Sequence, residues 1–289
     1  MASTLTRRSV ITAGVASAVA LGLSACGSSD SDQSSTEVDG VAVDGSITTI
    51  TIGATPNPHV EMLQWIQNNL AADAGLNLDI VEITDYQTPN SSLADGSLAA
   101  NFYQTPNFLA QQIEEKGYDF VSVADVHIEP MGIYSASATS IDQIAEGSSI
   151  TLNNDPANTA RGLKLLEAAG LIKLDPGVEM PSDLDIKDNP KNLKIVTVSG
   201  EQVATTMSDA NVGAVVLNGN YAIDAGLTPS KDALKLEEAQ GSPYVNQLVV
   251  RTADKDNEAL KKLAGLMNSS EFGAWIAERW TDGSVVAAF

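Results

Sequence analysis

Few residues of the chain have the types and spacing that catalytic chemistry requires. The triplet His127-Ile128-Glu129 matches the H-x-E of zinc deaminases, but that motif also needs a P-C-x-x-C segment, and Cys26 is the only cysteine. The second histidine, His59, is distant in sequence, and no spacing supplies the other ligands of a metal site. Glycine-rich phosphate loops and the G-x-S-x-G elbow are absent from the sequence. We therefore predict no catalytic residue, metal, cofactor or enzymatic activity.

Arg161 is the strongest candidate for a binding residue. It lies near the start of a predicted helix after Asp155-Pro156, where its guanidinium could bind a carboxylate through two parallel hydrogen bonds. Asn158 is three residues earlier and shares its helix face. Taken alone, Arg161 is better explained as a surface arginine that pairs with one of the many acids, but the two residues together indicate the edge of a binding site.

Asn218 is a second candidate, because it follows the apolar run Ala214-Val215-Val216-Leu217. It therefore stands at the carboxyl end of a predicted strand, where open α/β sheets bind ligands. Its amide oxygen could accept a hydrogen bond from an ammonium group. Asn-Gly is also a common turn pair, so Asn218 could be a turn residue and Asn220 the residue that contacts the ligand.

The elements that position these residues alternate between strands and helices. Residues 46–54 predict a strand, a helix with Asn57 as N-cap and Pro58 at its first position follows, and residues 76–83 predict the next strand. This order predicts a parallel βαβ unit. The further predicted elements are strands at 100–103, 120–126, 149–152, 193–198, 213–217 and 245–251, and helices at 92–100, 107–116, 160–169, 221–225, 258–267 and 271–280.

Alternation through both halves predicts an α/β fold, and a single sheet would need more strands than is usual. We therefore predict two lobes, with residues 47–136 and 241–289 in lobe 1 and residues 137–240 in lobe 2. The last strand and the terminal helices then pack on lobe 1. The expected crossings between the lobes are Pro130, residues 135–140 and residues 241–243.

The N-terminal segment predicts export. Arg7 and Arg8 precede an uncharged apolar stretch that ends at Ala25, which is typical of a signal peptide of residues 1–25 and too short for a membrane span. Leu23-Ser24-Ala25-Cys26 resembles a bacterial lipobox, and this resemblance implies cleavage before Cys26 and lipidation of its thiol with diacylglycerol and palmitate. An incidental cysteine is the alternative, and the choice between Sec and twin-arginine export stays open.

Residues 26–46 then predict a flexible linker, because they are rich in Ser, Asp and Gly and lack a periodic apolar face. Removal of the signal peptide changes the formal net charge from −21 to −23, because the peptide carries two basic residues and no acidic one. Such a surface repels nucleic acid and anionic lipid, so we predict no nucleic-acid partner. The scattered acidic residues indicate solubility outside the cell.

Several segments in order resemble the NlpA/MetQ-type lipoprotein family, the substrate-binding components of methionine ABC transporters. The segments that carry the resemblance are residues 53–59, 84–86, 93–96, 101–104, 127–132, 154–156, 158, 161–162, 189–194, 218–222 and 242–244. The resemblance implies a two-lobe, type II periplasmic-binding-protein-like fold with a hinge and an interlobe cleft. It also implies amino-acid transport, in which a methionine-like ligand passes to a permease driven by a separate ATPase.

The resemblance also assigns an aromatic wall to Tyr86, Tyr103 and Phe108, which would pack on a methionine side chain. Core packing is an equally good explanation for these residues on the sequence alone. Family members usually have a histidine where this chain has Thr105. A shorter hydroxyl there would enlarge or repolarise the pocket, so the ligand could be D-methionine, a methionine derivative, another apolar amino acid or a small peptide.

The expected function is that of a non-catalytic receptor, lipid-anchored on the extracytoplasmic face of the cell membrane. An extracytoplasmic lipoprotein enzyme on a related two-lobe scaffold is the main alternative, although no acidic residue stands out as its acid or base. A surface adhesin that keeps the fold is a third possibility.

Overall fold

The computed structural model describes residues 38–289. The predicted signal peptide, Cys26 and the first part of the predicted linker lie outside the described residues. The strands are β1 (Val41–Asp44), β2 (Ile47–Ala54), β3 (Leu76–Glu82), β4 (Ala100–Gln104), β5 (Phe120–Ile128), β6 (Gly132–Tyr134), β7 (Ser149–Asn153), β8 (Lys173–Leu174), β9 (Ile186–Asp188), β10 (Lys194–Val198), β11 (Val212–Leu217), β12 (Lys235–Leu236), β13 (Val245–Arg251) and β14 (Val286–Ala287).

The helices occupy most of the connections between these strands. They are α1 (Glu61–Ile66), flanked by wider helical turns at Pro56–Val60 and Gln67–Ala71, α2 (Thr88–Ala94), α3 (Pro106–Lys116), α4 (Pro156–Ala168), α5 (Gly200–Val203), α6 (Gly219–Asp224), α7 (Pro229–Asp232), α8 (Glu258–Met267) and α9 (Ser270–Arg279). Short 3-10 turns lie at Ile141–Gln143, Asp183–Asp185, Ala204–Ser208 and Thr252–Asp254. Within residues 38–289, no helix has both the length and the apolar character to cross a membrane.

The first sheet has seven strands. Six follow the order β1, β2, β4, β13, β5, β14, and the seventh, β3, also pairs with β2. β2 is parallel to both β3 and β4, which confirms the predicted parallel βαβ unit. β13 is antiparallel to β4 and β5 and so returns the chain to the middle of this sheet. The apolar core of this sheet includes side chains of β2, α1, α8 and α9. The terminal helices therefore pack on lobe 1 as predicted.

The second sheet has the order β10, β7, β11, β6, β12. β7 is parallel to β10 and β11, whereas β6 is antiparallel to β11 and to β12. A separate apolar core covers this sheet and includes residues of α4 such as Leu163 and Leu166. Two sheets with two cores give the two α/β lobes that the sequence predicts.

The chain crosses between the sheets in the segments 129–131 and 237–244. The predicted crossings at Pro130 and 241–243 lie in these segments. The predicted crossing at 135–140 is wrong, because β6 already pairs with β11 in the second sheet and the crossing precedes it. The three residues of β6 are too short a run to reveal their sheet from sequence, so the predicted end of lobe 1 at residue 136 is several residues late.

Three local features also differ from the predictions. Part of the predicted linker forms β1, which pairs with β2 through a two-residue turn in which Gly45 has a φ of 60°. The helix predicted at 92–100 begins earlier, at α2, where Pro89 occupies its first turn. The Asn57 side chain does not cap a helix and instead donates a hydrogen bond to Asp224 Oδ1 at 2.8 Å.

Candidate ligand-binding site

A cavity with an empty volume of about 330 Å³ is lined by side chains from both lobes. The lining residues are Tyr86, Tyr103, Gln104, Thr105, Phe108, Glu129, Asn158, Arg161, Asn218, Gly219, Asn220 and Asn246. All eight residues predicted to bind a ligand therefore line one cavity, while their contact with a ligand stays a prediction.

Arg161 is buried in the second turn of α4 and is oriented by three neighbours. Its Nε lies 2.9 and 3.1 Å from the two carboxylate oxygens of Glu237, and its Nη2 donates to the same carboxylate and to the carbonyl oxygen of Glu129 at 3.0 Å. The ring of Tyr244 lies 4.1 Å from the guanidinium carbon. The Nε–Nη2 edge of the guanidinium, which could have bound a ligand carboxylate, is thus paired with Glu237. Nη1 makes no hydrogen bond within residues 38–289 and is the donor left for a ligand.

Asn158 and Asn218 form a continuous amide network at the start of α4. The Asp155 carboxylate caps the helix by accepting from Asn158 N and also accepts from Asn158 Nδ2. Asn218 Nδ2 then donates to Asn158 Oδ1 at 2.8 Å. The Asn158 amide is therefore satisfied inside the protein, whereas Asn218 Oδ1 has no hydrogen-bond donor in the described part of the chain and is available to a ligand.

The predicted aromatic wall is present in the cavity. The rings of Tyr86, Tyr103 and Phe108 have centroids 5.7 to 5.9 Å apart, and Tyr221 stacks on Tyr86 at 4.8 Å. Tyr86 donates to Asn220 Oδ1 at 2.6 Å, and Tyr103 donates to the carbonyl oxygen of Tyr86 at 3.1 Å. Burial raises the pKa of both tyrosines well above the usual value, so their hydroxyl groups stay protonated donors.

Thr105, at the position of the family histidine, turns its hydroxyl group toward its own helix. It immediately precedes α3, and its Oγ1 donates to Asn107 Oδ1 at 2.6 Å. The side chain still lines the cavity. Because its hydroxyl proton is used locally, Thr105 contributes a small surface here and no free proton donor.

Three polar residues of the cavity, Gln104, Glu129 and Asn246, are absent from the predicted site. Glu129, at the crossing after β5, is buried and its Oε1 lies 2.6 Å from His127 Nε2 and 3.3 Å from His59 Nε2. Asn246, in β13, places Oδ1 3.1 Å from His59 Nε2. Glu129 and Asn246 each lie within three residues of a proline of a connecting segment, Pro130 or Pro243, but this position alone does not mark a binding residue.

The two histidines are buried and neutral. Burial lowers the pKa of His59 to about 4 and that of His127 to about 3. Their Nε2 atoms and Glu129 Oε1 all lie within 4.8 Å of one another, which is the one such group in the described part of the chain with the spacing of a metal site. His127 Nε2 is already hydrogen-bonded to Glu129 Oε1, and His59 Nε2 to Asn246 Oδ1, so a metal ion would have to replace these contacts.

A family model and individual relatives with known names indicate the same protein family. The model of the NlpA lipoprotein family matches residues 50–289. The D-methionine-binding lipoprotein MetQ of Salmonella typhi is 39% identical over 223 residues, which are 77% of this chain and 82% of that protein. The methionine-binding lipoprotein MetQ of Bacillus subtilis is 36% identical over 240 residues, which are 82% of this chain and 87% of that protein.

A solved structure agrees with these relatives. A nutrient binding protein from Burkholderia cenocepacia, solved bound to methionine, is 38% identical, with a TM-score of 0.79 over 83% of this chain and 100% of that chain. The predicted two-lobe, periplasmic-binding-protein-like fold is therefore confirmed. All three relatives are named for binding and none for a reaction. The chain belongs to the NlpA lipoprotein family, whose members compared here are binding proteins and not enzymes.

Proposed function

We propose that the chain is an extracytoplasmic, lipid-anchored substrate-binding protein that closes two lobes on an amino acid and delivers it to the permease of an ABC importer. The ligand we favour is methionine or a close derivative. The observation that carries this proposal is the cavity itself, which is lined both by Arg161, with one guanidinium nitrogen unpaired within residues 38–289, and by the aromatic wall of Tyr86, Tyr103 and Phe108.

The two parts of the cavity suit the two ends of such a ligand. A carboxylate bound to Arg161 Nη1 gains a charge-assisted hydrogen bond in a site that excludes water. A thioether against Tyr86 and Phe108 gains apolar contact and favourable interaction between sulfur and ring. Thr105 leaves room beside this wall, so methionine of either hand and its derivatives are the probes to compare.

Closure of the lobes is proposed to occur at the crossings 129–131 and 237–244. Tyr86 of lobe 1 is hydrogen-bonded to Asn220 of lobe 2, and Tyr221 of lobe 2 donates to the carbonyl oxygen of Thr84 at 3.1 Å. A ligand that contacts both lobes would favour this closed arrangement over an open one by its difference in affinity for the two.

Delivery to a membrane partner fits the predicted anchor at Cys26. A lipid anchor and a flexible linker would raise the effective concentration of the receptor near its permease. ATP hydrolysis would belong to a separate subunit, since this sequence has no P-loop motif.

Mass spectrometry of the small molecule released from the purified full-length protein tests the proposal. We expect methionine or a related apolar amino acid, together with a rise in melting temperature when that compound is added back. Conversion of the added compound to a product would instead support the enzyme alternative. Absence of any bound compound, with no thermal shift from any amino acid, would contradict an amino-acid receptor.

A further inference from the structure

A second cleft between the lobes adjoins the ligand cavity, and it is acidic. The Tyr86 side chain lines both. Two carboxylates of lobe 1 and two of lobe 2 line the second cleft, and these define the acidic cleft: Asp85 after β3, Glu115 on α3, Asp155 before α4 and Glu201 on α5. No lysine, arginine or histidine is among the residues that line it.

The four carboxylates have no cationic partner within residues 38–289. None of the ion pairs in that part of the chain includes one of them. Burial and the neighbouring charge of Glu115 raise the pKa of Asp155. Burial, followed by the charges of Glu201, Asp85 and Asp155, raises the pKa of Tyr221 in the same way. Negative charge from both lobes is therefore concentrated in this cleft.

Buried polar atoms in the wall of the acidic cleft also lack partners. Gln111 on α3 is 8% exposed, and its Oε1 accepts no hydrogen bond from the described residues. Asn153 at the end of β7 is 4% exposed, and its Nδ2 donates none to them. A buried polar atom without a partner is costly, which favours a bound group that supplies one. A neutral acceptor beside several carboxylates suits a donor with positive charge.

The spacing of the carboxylates favours an organic cation over a metal ion. Calcium–oxygen distances of about 2.3–2.6 Å place the oxygens around one ion within roughly 5 Å of each other. Within residues 38–289, only His59, His127 and Glu129 bring three side-chain ligand atoms that close together. An alkylammonium or guanidinium group is larger, and each of its several N–H donors can reach a different oxygen.

We propose that the acidic cleft binds an alkylammonium or guanidinium group and that this cation holds the two lobes together. Glu115 and Glu201 contribute charge from opposite lobes, and Gln111 Oε1 is the neutral acceptor. Opening of the lobes removes the cation from the carboxylates of one lobe, so the cation binds the closed form more tightly. It therefore raises the affinity of the neighbouring cavity for its ligand, and the ligand raises the affinity for the cation by the same factor. This coupling rests on the proposed function, whereas the cation site does not.

Two sources carry this chemistry, a free amine and a basic side chain of a partner polypeptide. A polypeptide also has carbonyl oxygens, which could accept a hydrogen bond from Asn153 Nδ2. Spermidine is the probe for the free amine, and N-acetylarginine amide is the probe for a side chain on a polypeptide. The probe that binds more tightly identifies the source.

Thermal unfolding of the full chain without methionine tests the cation site. We expect spermidine or N-acetylarginine amide to raise the melting temperature by at least about 2 °C over sodium chloride of the same ionic strength. The double variant Glu115→Gln/Glu201→Gln should lose most of this rise. The control Glu271→Gln/Glu278→Gln removes the same charge from exposed positions of α9 and should keep it. The site is refuted if neither probe raises the melting temperature, if calcium chloride raises it equally, or if the first double variant keeps the rise.

Calorimetric titration with L-methionine, with and without a saturating concentration of the tighter-binding probe, tests the coupling. The probe should increase the affinity of the wild type for methionine about fivefold or more, and it should have no effect on the Glu115→Gln/Glu201→Gln variant. A wild type that binds the probe cation and shows unchanged methionine affinity would contradict a cation held between the lobes. If the wild type binds the cation but no methionine, the proposed function fails and the cation site stands.

Discussion

At the scale of single residues, Arg161 is a buried charge whose orientation is fixed by its neighbours. Glu237 occupies one edge of the guanidinium, Tyr244 covers a face and the Glu129 carbonyl oxygen accepts from Nη2. Each contact limits the rotation of the side chain, so less conformational entropy is lost when a ligand binds. We therefore expect Nη1 to keep its orientation whether or not a ligand is bound.

Replacement of Arg161 tests this preparation. Arg161→Ala should abolish binding of a free amino acid and also lower the free energy of unfolding by about 3–5 kcal/mol, because Glu237 loses its partner. Arg161→Lys keeps the charge but loses the planar fork, so we expect a loss of affinity of at least about tenfold in calorimetry. Arg251→Lys, which affects an arginine bound to Asp254, is the control. Unchanged affinity in Arg161→Ala would refute the assignment.

Gly219 permits the close contact between α6 and Glu129. A Cβ atom at this position would lie 2.6 Å from Glu129 Cβ. Gly219→Ala should therefore lower the free energy of unfolding by about 1–3 kcal/mol in a urea titration. Gly265→Ala, on the exposed side of α8 with no atom within 4 Å, should raise it by about 0.5–1 kcal/mol. Equal effects of the two substitutions would contradict the close approach.

Whether a residue of the site can be predicted from the sequence depends on how far apart in sequence its contacts lie. Arg161 and Asn218 could be found because a helix start and a strand end are local signals. Glu129 and Asn246 could not, because their neighbours are distant in sequence, as the 187 residues between His59 and Asn246 show. The partner of Arg161 was hidden for the same reason.

At the scale of elements, α6 connects the two lobes. Tyr221 donates to Thr84, Asn220 accepts from Tyr86, and Asp224 accepts from Asn57. These three residues of α6 therefore form hydrogen bonds with the segments that follow β2 and β3. The short helix after β11 thus combines residues that line the cavity with hydrogen bonds between the two lobes.

Removal of one such contact should favour opening. Tyr221→Phe loses the bond to Thr84, which is worth about 0.5–1.5 kcal/mol, so small-angle X-ray scattering of the unliganded protein should show a larger radius of gyration. Ligand affinity should fall by about 2- to 10-fold. Tyr118→Phe, which affects a ring stacked on Phe120 in lobe 1, should change neither quantity. An unchanged radius in both variants would count against α6 as a closing contact.

Helices and strands could be predicted where burial of one face gives a clear hydrophobic period in the sequence. They could not be predicted where a strand forms only because it pairs with another. The helix predicted at 258–267 has the bounds of α8, because its apolar residues face one core. β1 was missed, although Asp44-Gly45 before a β-branched run is a hairpin signal, because the surrounding residues are polar. β6 has too few residues for any period.

At the scale of the whole molecule, the buried histidine pair couples stability to pH. Both histidines have a folded-state pKa below the usual 6.5, so the unfolded chain binds more protons as pH falls below that value. Their contribution to stability is complete above pH 6.5 and is lost toward pH 4. The raised pKa of Glu129 acts in the opposite direction, since its contribution is lost as pH rises.

A substitution separates the histidine contribution. Relative to the wild type, His127→Gln should gain up to about 1.4 kcal/mol of unfolding free energy for each pH unit below 6.5, and the difference should be constant above it. Urea titrations at several pH values measure both chains under the same conditions. A difference that does not vary with pH would show that folding does not lower the pKa of His127.

The two-lobe architecture leads to one decisive observation, which is a crystal structure of the protein grown with saturating L-methionine. We expect a ligand in contact with both lobes, with its carboxylate within hydrogen-bond distance of Arg161 Nη1 and its thioether against Tyr86 and Phe108. A ligand bound elsewhere, or a cavity that contains only water at saturation, would contradict it.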